Sequence, residues 1–272
     1  MSSSDSPLTI LNTLIFPLKF IFLSLTYLPR ALLLTFPSSL STLQSAWFSL
    51  FWSHVGPLVR ESASPSVIPL LSGLITRGSL KPTPVHPAIS GTVLELGPGS
   101  GQWTSTLSRF SSNITKILGV EPNTGIHPLL RSQIKKNNLE DKYTIVPCGV
   151  EDLASSGKVE KESVDSIMTV LCLCSIPEPQ KNIKELYTYL KPGGRWYVYE
   201  HVKQGPEAPR WLAIYQSVLN LIWPHFIGGC EMCRDTPKWL KEAGPWGDID
   251  LSRPEKSVWY ETMPNVIGVL TK

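Results

Sequence analysis

From Thr92 onward, short apolar stretches typical of buried strands alternate with polar stretches that have a helical pattern. Apolar runs of this length, bounded by glycine or proline, predict strands, and the longer amphipathic stretches between them predict helices. The predicted strands cover residues 92–96, 116–121, 143–147, 163–176 and 194–202, and the predicted helices cover 101–110, 125–138 and 177–190. This alternation predicts an α/β fold with a doubly wound, mostly parallel sheet, which binds its ligands at the carboxyl ends of the strands.

A glycine-rich loop, GPGSG at residues 97–101, follows the first predicted strand. Glycines at Gly97, Gly99 and Gly101 allow positive φ angles and a close approach of the backbone to a ligand. A dinucleotide fingerprint would need its third glycine at position 102, where this chain has Gln102. Glu95 would repel a pyrophosphate and favour a ligand with a cationic head. The loop therefore predicts S-adenosylmethionine, which carries an ammonium and a sulfonium and no phosphate, rather than NAD.

Glu121 ends the second predicted strand, 20 residues after Gly101. A carboxylate at this position in a doubly wound sheet can accept hydrogen bonds from both ribose hydroxyls of a bound nucleoside. The alternative is an ordinary strand-end acid in contact with solvent. Its spacing from the glycine loop favours the ribose role.

The motifs ELGPGSG, VEPN and LKPGG resemble those of class I S-adenosylmethionine-dependent methyltransferases. More narrowly, the segments LCSI, YEHV, GGCEMCRDTPKWL and PNVIGVLTK resemble the membrane-anchored thiol methyltransferases of the methyltransferase-like 7 family. The resemblance covers nearly the whole chain. It implies a seven-stranded, mostly parallel, Rossmann-like sheet whose last strand, at Asn265–Thr271, is antiparallel.

The resemblance also implies how the cofactor is held. Glu95 and the three glycines would hold the methionine part, and Glu121 would hold the ribose.

The same resemblance implies cofactor contacts for five further residues. Pro122 and Asn123 would flank the adenosine, Val150 or Glu151 would offer a backbone N–H to the adenine, and Leu171 would pass behind the methionine part. The chain departs from the common pattern at Gly149, where many members of the class have an acid.

The first sixty residues differ from the rest because no acidic residue lies between Asp5 and Glu61. The apolar stretch Leu8–Leu28 would form a helix of about 31 Å, enough for a hydrocarbon core of roughly 30 Å. The stretch Ala31–Trp52 is more amphipathic, as interfacial helices are. A cleaved signal peptide is disfavoured because the first seven residues carry no positive charge.

Two interpretations of this region remain, a helix buried against the folded domain and a membrane anchor that either spans the bilayer or forms a shallow hairpin. We expect an anchor in residues 1–60, a proline-rich connecting region in 61–90 and the catalytic domain in 91–272. Since the cofactor is cytosolic, the domain should face the cytosol, at the surface of the endoplasmic reticulum or of lipid droplets.

Methyl transfer is an in-line displacement that mainly requires alignment of the reactants and exclusion of water. A base is needed where the acceptor arrives protonated, and His201, after the fifth strand, is the candidate. Glu200 either orients its imidazole or points away, and a purely structural His201 is the alternative. Asp235 and His225 are weaker candidates. The aromatic C-terminal segment is predicted to cover the acceptor pocket with Trp211, Tyr215, Trp223 and Phe226.

The five cysteines are odd in number, and three lie in or beside apolar stretches, so we expect reduced thiols rather than a disulfide framework. Cys172, Cys174, Cys230 and Cys233 could be combined into a four-thiolate zinc site, but their spacing fits zinc ribbons poorly. We therefore expect buried free cysteines and no metal. The net charge of +3 and the absence of a basic tract disfavour nucleic-acid binding.

These observations predict a membrane-anchored methyltransferase that acts on a small lipophilic acceptor. The family resemblance favours a thiol, and oxygen and nitrogen acceptors remain open. An NAD-dependent oxidoreductase is the first alternative, and Gln102 argues against it. A non-catalytic membrane scaffold that binds the cofactor is the second, and failure to turn over any acceptor would favour it.

Overall fold

The computed structural model describes residues 5–36 and 39–272. Residues 1–4 and 37–38 of the predicted anchor region lie outside this described part. The helices are α1 Pro7–Leu25, α2 Leu28–Thr35, α3 Leu40–Leu71, α4 Thr104–Leu107, α5 His127–Lys136, α6 Leu153–Ser156, α7 Pro179–Tyr189, α8 Arg210–Asn220, α9 Trp223–Phe226 and α10 Thr236–Lys241. The strands are β1 Ile75–Thr76, β2 Ser79–Leu80, β3 Gly91–Leu96, β4 Ile114–Val120, β5 Tyr143–Val146, β6 Val164–Val170, β7 Leu190–His201, β8 Asp248–Ser252 and β9 Asn265–Thr271.

Seven strands form one sheet in the order β5-β4-β3-β6-β7-β9-β8. Neighbouring strands are parallel, except that β9 runs antiparallel to both β7 and β8. This confirms the predicted doubly wound, seven-stranded sheet with an antiparallel last strand. The chain order reverses between β3 and β6, which is where such a sheet opens a crevice for a ligand.

The central strands are buried on both faces, which explains why their sequences are nearly continuous apolar runs. One face packs Leu94, Ile167 and Trp196 into a core with α7 and α10. The other face packs Val93 and Met168 against the end of α3 and against α5. Successive residues of a strand point to opposite faces, so each strand contributes to both cores.

The fourth predicted strand is shorter than expected and ends at Val170 rather than at residue 176. Leu171 adopts a left-handed backbone with φ of +54°, which turns the chain out of the sheet. The backbone N–H groups of Cys172 and Leu173 then donate to the Glu200 carboxylate, at 3.1 and 3.2 Å. The apolar run therefore continues into a loop whose backbone a buried acid satisfies.

The N-terminal helices α1 and α3 pack against the α/β domain. Tyr215 donates from its hydroxyl to the carbonyl of Leu14 at 2.8 Å, and Ser24 donates from its hydroxyl to the carbonyl of Phe226, also at 2.8 Å. Trp47 of α3 donates its indole N–H to the Ser24 carbonyl at 2.7 Å. These bonds hold α1 along the surface of the domain.

The predicted boundary at residue 60 falls inside α3. The first eleven residues of the predicted connecting region, 61–71, are helical, and the remainder contains the small hairpin of β1 and β2. Val67, Leu70 and Leu71, near the end of α3, are fully buried in the core of the domain. The predicted anchor region and the α/β domain therefore share one continuous helix.

Candidate active site

A cavity of about 870 Å³ opens at the carboxyl ends of β3, β4, β6 and β7. Its volume lies within the range of roughly 300–1,000 Å³ that is usual for small-molecule sites. We call the part beside the glycine loop the cofactor end and the part beside His201 the acceptor end. Both ends belong to one cavity, so two ligands bound there would lie next to each other.

The glycine loop turns back at the cofactor end with positive φ angles, +61° at Gly97 and +56° at Gly99. A Cβ atom at Gly97 would lie 2.9 Å from the Cβ of Cys172, and one at Gly99 would lie 3.3 Å from the Trp52 indole nitrogen. Only glycine fits here without strain, and the backbone of this loop forms the cavity wall. The loop therefore provides a cradle that a side chain would fill.

Glu121 follows β4, is largely buried and lines the cavity. Its two carboxylate oxygens accept the backbone N–H groups of Gly99 and Asn123, at 3.0 and 2.9 Å. An ionised carboxylate has about four acceptor positions, so it keeps capacity for two ligand hydroxyls. Burial raises the pKa of Glu121, and the two backbone N–H groups oppose that rise. The geometry fits the ribose contact predicted from the sequence.

The other predicted adenosine contacts also line the cofactor end, namely Pro122, Asn123, Val150 and Glu151. Leu171 lines the cavity too, but from the turn after β6 and not from within a strand as predicted. The structure thus brings together the glycine loop and these five residues.

Two predicted cofactor residues lie outside the cavity. Glu95 reaches across β4 to Tyr143, whose hydroxyl donates to it at 2.6 Å, and burial raises the pKa of Glu95 to about 7. Gly101, with φ of +86°, packs against α5, where a Cβ atom would lie 2.8 Å from Gln133. Glu95 and Gly101 therefore support the loop from behind, and their contact with the methionine part stays a prediction.

The N-terminal helices supply one wall of the acceptor end. The large side chains that α1 and α3 contribute to the cavity lining are all apolar. They are Phe16, Phe20, Leu23, Phe48, Trp52, Val55, Leu58 and Val59. The sequence predicted a C-terminal cover instead, and of the four aromatic residues proposed for it only Trp223 lines the cavity. Trp211 is 47% exposed and packs edge-on against Trp259. The cover is therefore mainly N-terminal.

His201 is the last residue of β7 and lines the acceptor end. Its Nε2 lies 3.0 Å from the Sγ of Cys230, and its Nδ1 is buried without a hydrogen-bond partner in the described chain. Burial lowers the pKa of His201, whereas Cys174 and Glu200 raise it, and the net result is a pKa above the ordinary value. The weaker candidates His225 and Asp235 do not line the cavity, and Asp235 pairs with Lys203.

Glu200 points away from His201, as neighbouring residues of a strand do. It is fully buried and receives the backbone N–H groups of Cys172 and Leu173, and burial raises its pKa to about 8. Arg234 fixes the same loop through its carbonyls and donates to Leu173 at 2.7 Å and to Ile176 at 2.6 Å. Together the Glu200 and Arg234 side chains hold the loop that carries Cys174.

The four-thiolate site considered from the sequence does not form. All five cysteines are free thiols. Cys174 and Cys230 instead meet His201 at the acceptor end, and one ligand atom from each lies within 4.8 Å of the others. The sequence signal for this cluster was present in LCSI, YEHV and GGCEMC, but its three members are brought together only by the fold.

A sheet of this order, with a glycine cradle after its first strand and a buried carboxylate after its second, is typical of class I S-adenosylmethionine-dependent methyltransferases. A family model described as a methyltransferase domain matches residues 94–198. A putative O-methyltransferase from Nostoc punctiforme aligns with 96% of this chain and 71% of its own at a TM-score of 0.56 and 12% identity, which shows the fold alone.

Two curated relatives narrow the family. Thiol S-methyltransferase TMT1B of Rattus norvegicus is 32% identical over 187 residues, which are 66% of this chain and 70% of that protein. Thiol S-methyltransferase TMT1B of Homo sapiens is 27% identical over 255 residues, which are 89% of this chain and 95% of that protein. The chain therefore belongs to the methyltransferase-like 7 family, and it is an enzyme that uses S-adenosylmethionine.

Proposed function

We propose that the protein transfers the methyl group of S-adenosylmethionine to the sulfur of a small lipophilic thiol at a membrane surface. The observation that carries this proposal is the single cavity that runs from the glycine cradle to an apolar chamber ending at His201. Burial of its apolar surface in such a chamber stabilises a bound lipophilic acceptor. The curated relatives, which are named thiol S-methyltransferases, support sulfur as the accepting atom.

At the cofactor end, Gly97 and Gly99 hold the methionine part through their backbone, and Leu171 passes behind it. Glu121 binds the ribose hydroxyls. The adenosine contacts are assigned to Pro122, Asn123, Val150 and Glu151. S-adenosylmethionine supplies an activated methyl group, so the acceptor end has only to align the acceptor, exclude water and assist loss of its proton.

His201 assists that proton loss. It is the one histidine that lines the cavity in the described chain, and the acids of the lining, Glu121 and Glu151, lie at the cofactor end. A thiol has a pKa of roughly 8.5, so its sulfur needs far less help to ionise than the oxygen of an alcohol. As the only group that assists proton loss, a single histidine is therefore better suited to a thiol acceptor than to an alcohol.

The acceptor class is tested with matched acceptors of one carbon skeleton that carry a thiol, a hydroxyl or an amine. The full chain in detergent is incubated with cofactor labelled in the methyl group, and the methylated products are identified by mass spectrometry. We expect labelled thioether with turnover far above that of the other two acceptors. Labelled ether or methylamine without thioether would contradict the proposal.

The membrane part of the proposal rests on the outer side of the N-terminal helices. Pro7–Thr35, which comprises α1 and α2, is the one stretch of the described chain long and apolar enough to cross a bilayer, and 17% of its most apolar window is buried. Large apolar side chains lie exposed along it, and we call them the N-terminal apolar face: Leu8, Leu11, Leu18, Phe22, Leu25, Leu32, Leu33 and Leu34.

Since the other side of α1 is bonded to the domain through Leu14 and Ser24, we propose that this face lies in the membrane surface and does not span the bilayer. The catalytic domain then faces the cytosol, at the endoplasmic reticulum or at lipid droplets. Protease added outside intact vesicles should digest the domain, and full protection would place it in the lumen.

The face itself is tested by flotation with lipid vesicles. Replacing Phe22, Leu33 and Leu34 together by serine removes exposed apolar area without touching the buried side of the helices. We expect the triple variant to lose most of its vesicle binding, while methylation of a soluble thiol continues. The matched control is Leu129→Ser on α5, an exposed leucine outside the face. Equal flotation of the triple variant and the parent would contradict the surface proposal.

A further inference from the structure

The acceptor end contains a group of three metal-ligating side chains that alignment of the reactants does not require. Cys174 lies in the loop after β6, His201 ends β7, and Cys230 lies in the loop after α9. All three are buried, and all three line the cavity. One ligand atom from each lies within 4.8 Å of the other two, and His201 Nε2 is 3.0 Å from Cys230 Sγ.

The backbone around this cluster is fixed before any ligand binds. Glu231 donates its backbone N–H to the Cys174 carbonyl at 2.9 Å, which joins the two cysteine loops directly. Glu200 and Arg234 hold the Cys174 loop through its N–H groups and its carbonyls. Trp223 donates its indole N–H to the Cys230 sulfur at 3.2 Å. These contacts come from three separate parts of the chain, namely β7, α9 and the segment 231–234, and they converge on the cluster.

The donor set is chemically specific. Two sulfurs and one imidazole nitrogen favour a borderline-soft cation, and three protein ligands with one open position are typical of catalytic zinc. In tetrahedral zinc with normal bond lengths, two sulfurs lie roughly 3.8 Å apart and a sulfur lies roughly 3.6 Å from the nitrogen. The separations in this cluster, from 3.0 Å to within 4.8 Å, bracket those values.

We propose that Cys174, His201 and Cys230 bind Zn²⁺, and that the open fourth position, facing the cavity, binds the sulfur of the acceptor thiol. Two thiolates and one neutral imidazole balance the charge of the cation. This inference rests on the proposed thiol function and explains how His201 assists loss of the proton, since its Nε2 acts as a ligand and not as a free base.

Zinc would solve a problem that the apolar chamber creates. An apolar chamber disfavours the charged thiolate, so a neutral acceptor thiol that enters it stays protonated. A thiol that coordinates zinc loses its proton, which leaves to solvent. The thiolate sulfur then forms the new bond to the methyl carbon. The methyl–sulfonium bond breaks, and its electron pair stays on the sulfur of S-adenosylhomocysteine.

The metal itself is tested first, without reference to activity. The full chain is purified in detergent with a reductant, and its metals are measured by plasma mass spectrometry. We expect about one zinc per chain, and loss of most of it in Cys174→Ser and in Cys230→Ser. The matched control is Cys233→Ser, three residues from Cys230 and outside the cluster, which should keep its zinc. Parent protein with no more zinc than the Cys174→Ser variant would overturn the proposal.

Cobalt tests the coordination and the open position. Reconstitution with Co²⁺ should give the thiolate-to-cobalt charge-transfer absorption of a tetrahedral site, and Cys174→Ser should lack it. A lipophilic thiol should change this absorption, whereas the alcohol of the same skeleton should not. A spectrum without sulfur ligation, or one that the thiol leaves unchanged, would overturn the proposal. The affinity of each variant for S-adenosylmethionine serves as the control for correct folding, because the substituted cysteines lie at the acceptor end and the cofactor binds at the other end.

The two proposals fail in different ways. Methylation of a thiol by protein without zinc, at the rate of the parent, would overturn the zinc site and leave the proposed function intact. Stoichiometric zinc that depends on Cys174 and Cys230, in protein that methylates only an alcohol or an amine, would overturn the thiol function and leave the metal site.

Discussion

The two ends of the cavity are built in different ways. The cofactor end is a backbone structure in which glycines at Gly97 and Gly99 and one carboxylate, Glu121, come from two short segments that follow neighbouring strands. The acceptor end is a side-chain structure that draws on α1, α3, the loop after β6, the end of β7 and the segment around α9. A local motif is enough to bind a shared cofactor, whereas a chain-specific acceptor pocket requires elements distant in sequence.

The largest expected effect is at the cofactor end. Gly99→Val places a branched side chain at a φ of +56° and against Trp52, so we expect S-adenosylmethionine affinity to fall by at least about a hundredfold. Calorimetry measures it. The matched control is Gly157→Val, which has a φ of +62° and nothing near its Cβ position. Similar losses of cofactor affinity in both variants would mean that backbone strain, and not the cradle, decides binding.

The next effect is at the acceptor end. His201→Ala should lower turnover by roughly a hundredfold or more and leave cofactor affinity nearly unchanged, because His201 acts at the far side of the cavity. The loss should be larger for an acceptor that arrives protonated than for one already ionised at the assay pH. His225→Ala, outside the cavity, is the control. If His201→Ala is as fast as the parent on every acceptor at every pH, then His201 is only structural.

Glu95 should affect the stability of the folded protein rather than binding of the acceptor. Its pKa in the folded chain is about 7, above the value of 4.5 expected when unfolded, so its favourable contribution is complete below pH 4.5 and is lost as the pH rises through 7. Glu95→Gln keeps an acceptor for the Tyr143 hydroxyl and removes the buried charge. We expect it to stabilise the protein at pH 8 by about 1–3 kcal/mol and to leave it nearly unchanged at pH 4.

Melting temperatures of the two proteins across this pH range measure the difference, and the acceptor KM should stay constant. A destabilised Glu95→Gln variant at pH 8 would show that the carboxylate is needed in its charged form.

The smallest expected effect is at the contact between α3 and the cofactor end. Asn123 donates from its side-chain amide to the Ser49 hydroxyl at 2.9 Å. Ser49→Ala removes this hydrogen bond together with the bond from the Ser49 hydroxyl to the Ser45 carbonyl, and cofactor affinity should fall about threefold to tenfold. Ser53→Ala on the same helix is the control, since its hydroxyl bonds only to the Leu50 carbonyl. An unchanged affinity would mean that the contact between Ser49 and Asn123 does not support cofactor binding.

Several features were predictable because they depend on local sequence. Short apolar runs bounded by glycine or proline predicted β3 to β5, and the antiparallel strand at Asn265–Thr271 was implied by family resemblance and confirmed. The strand predicted over residues 163–176 was too long, because composition does not reveal the left-handed turn at Leu171 or the buried Glu200 that satisfies the loop after it.

The sequence alone determined the class of fold, the glycine cradle and the acid that we propose for the ribose, since strand period, glycine conformation and short spacings are local properties. Tertiary structure decided that Glu95 turns away toward Tyr143, that the N-terminal helices close the acceptor end, and that Cys174, His201 and Cys230 meet. The physical reason is distance along the chain. Residues separated by tens to hundreds of positions meet only when the whole sheet and its covering helices have formed, and no local pattern records that meeting.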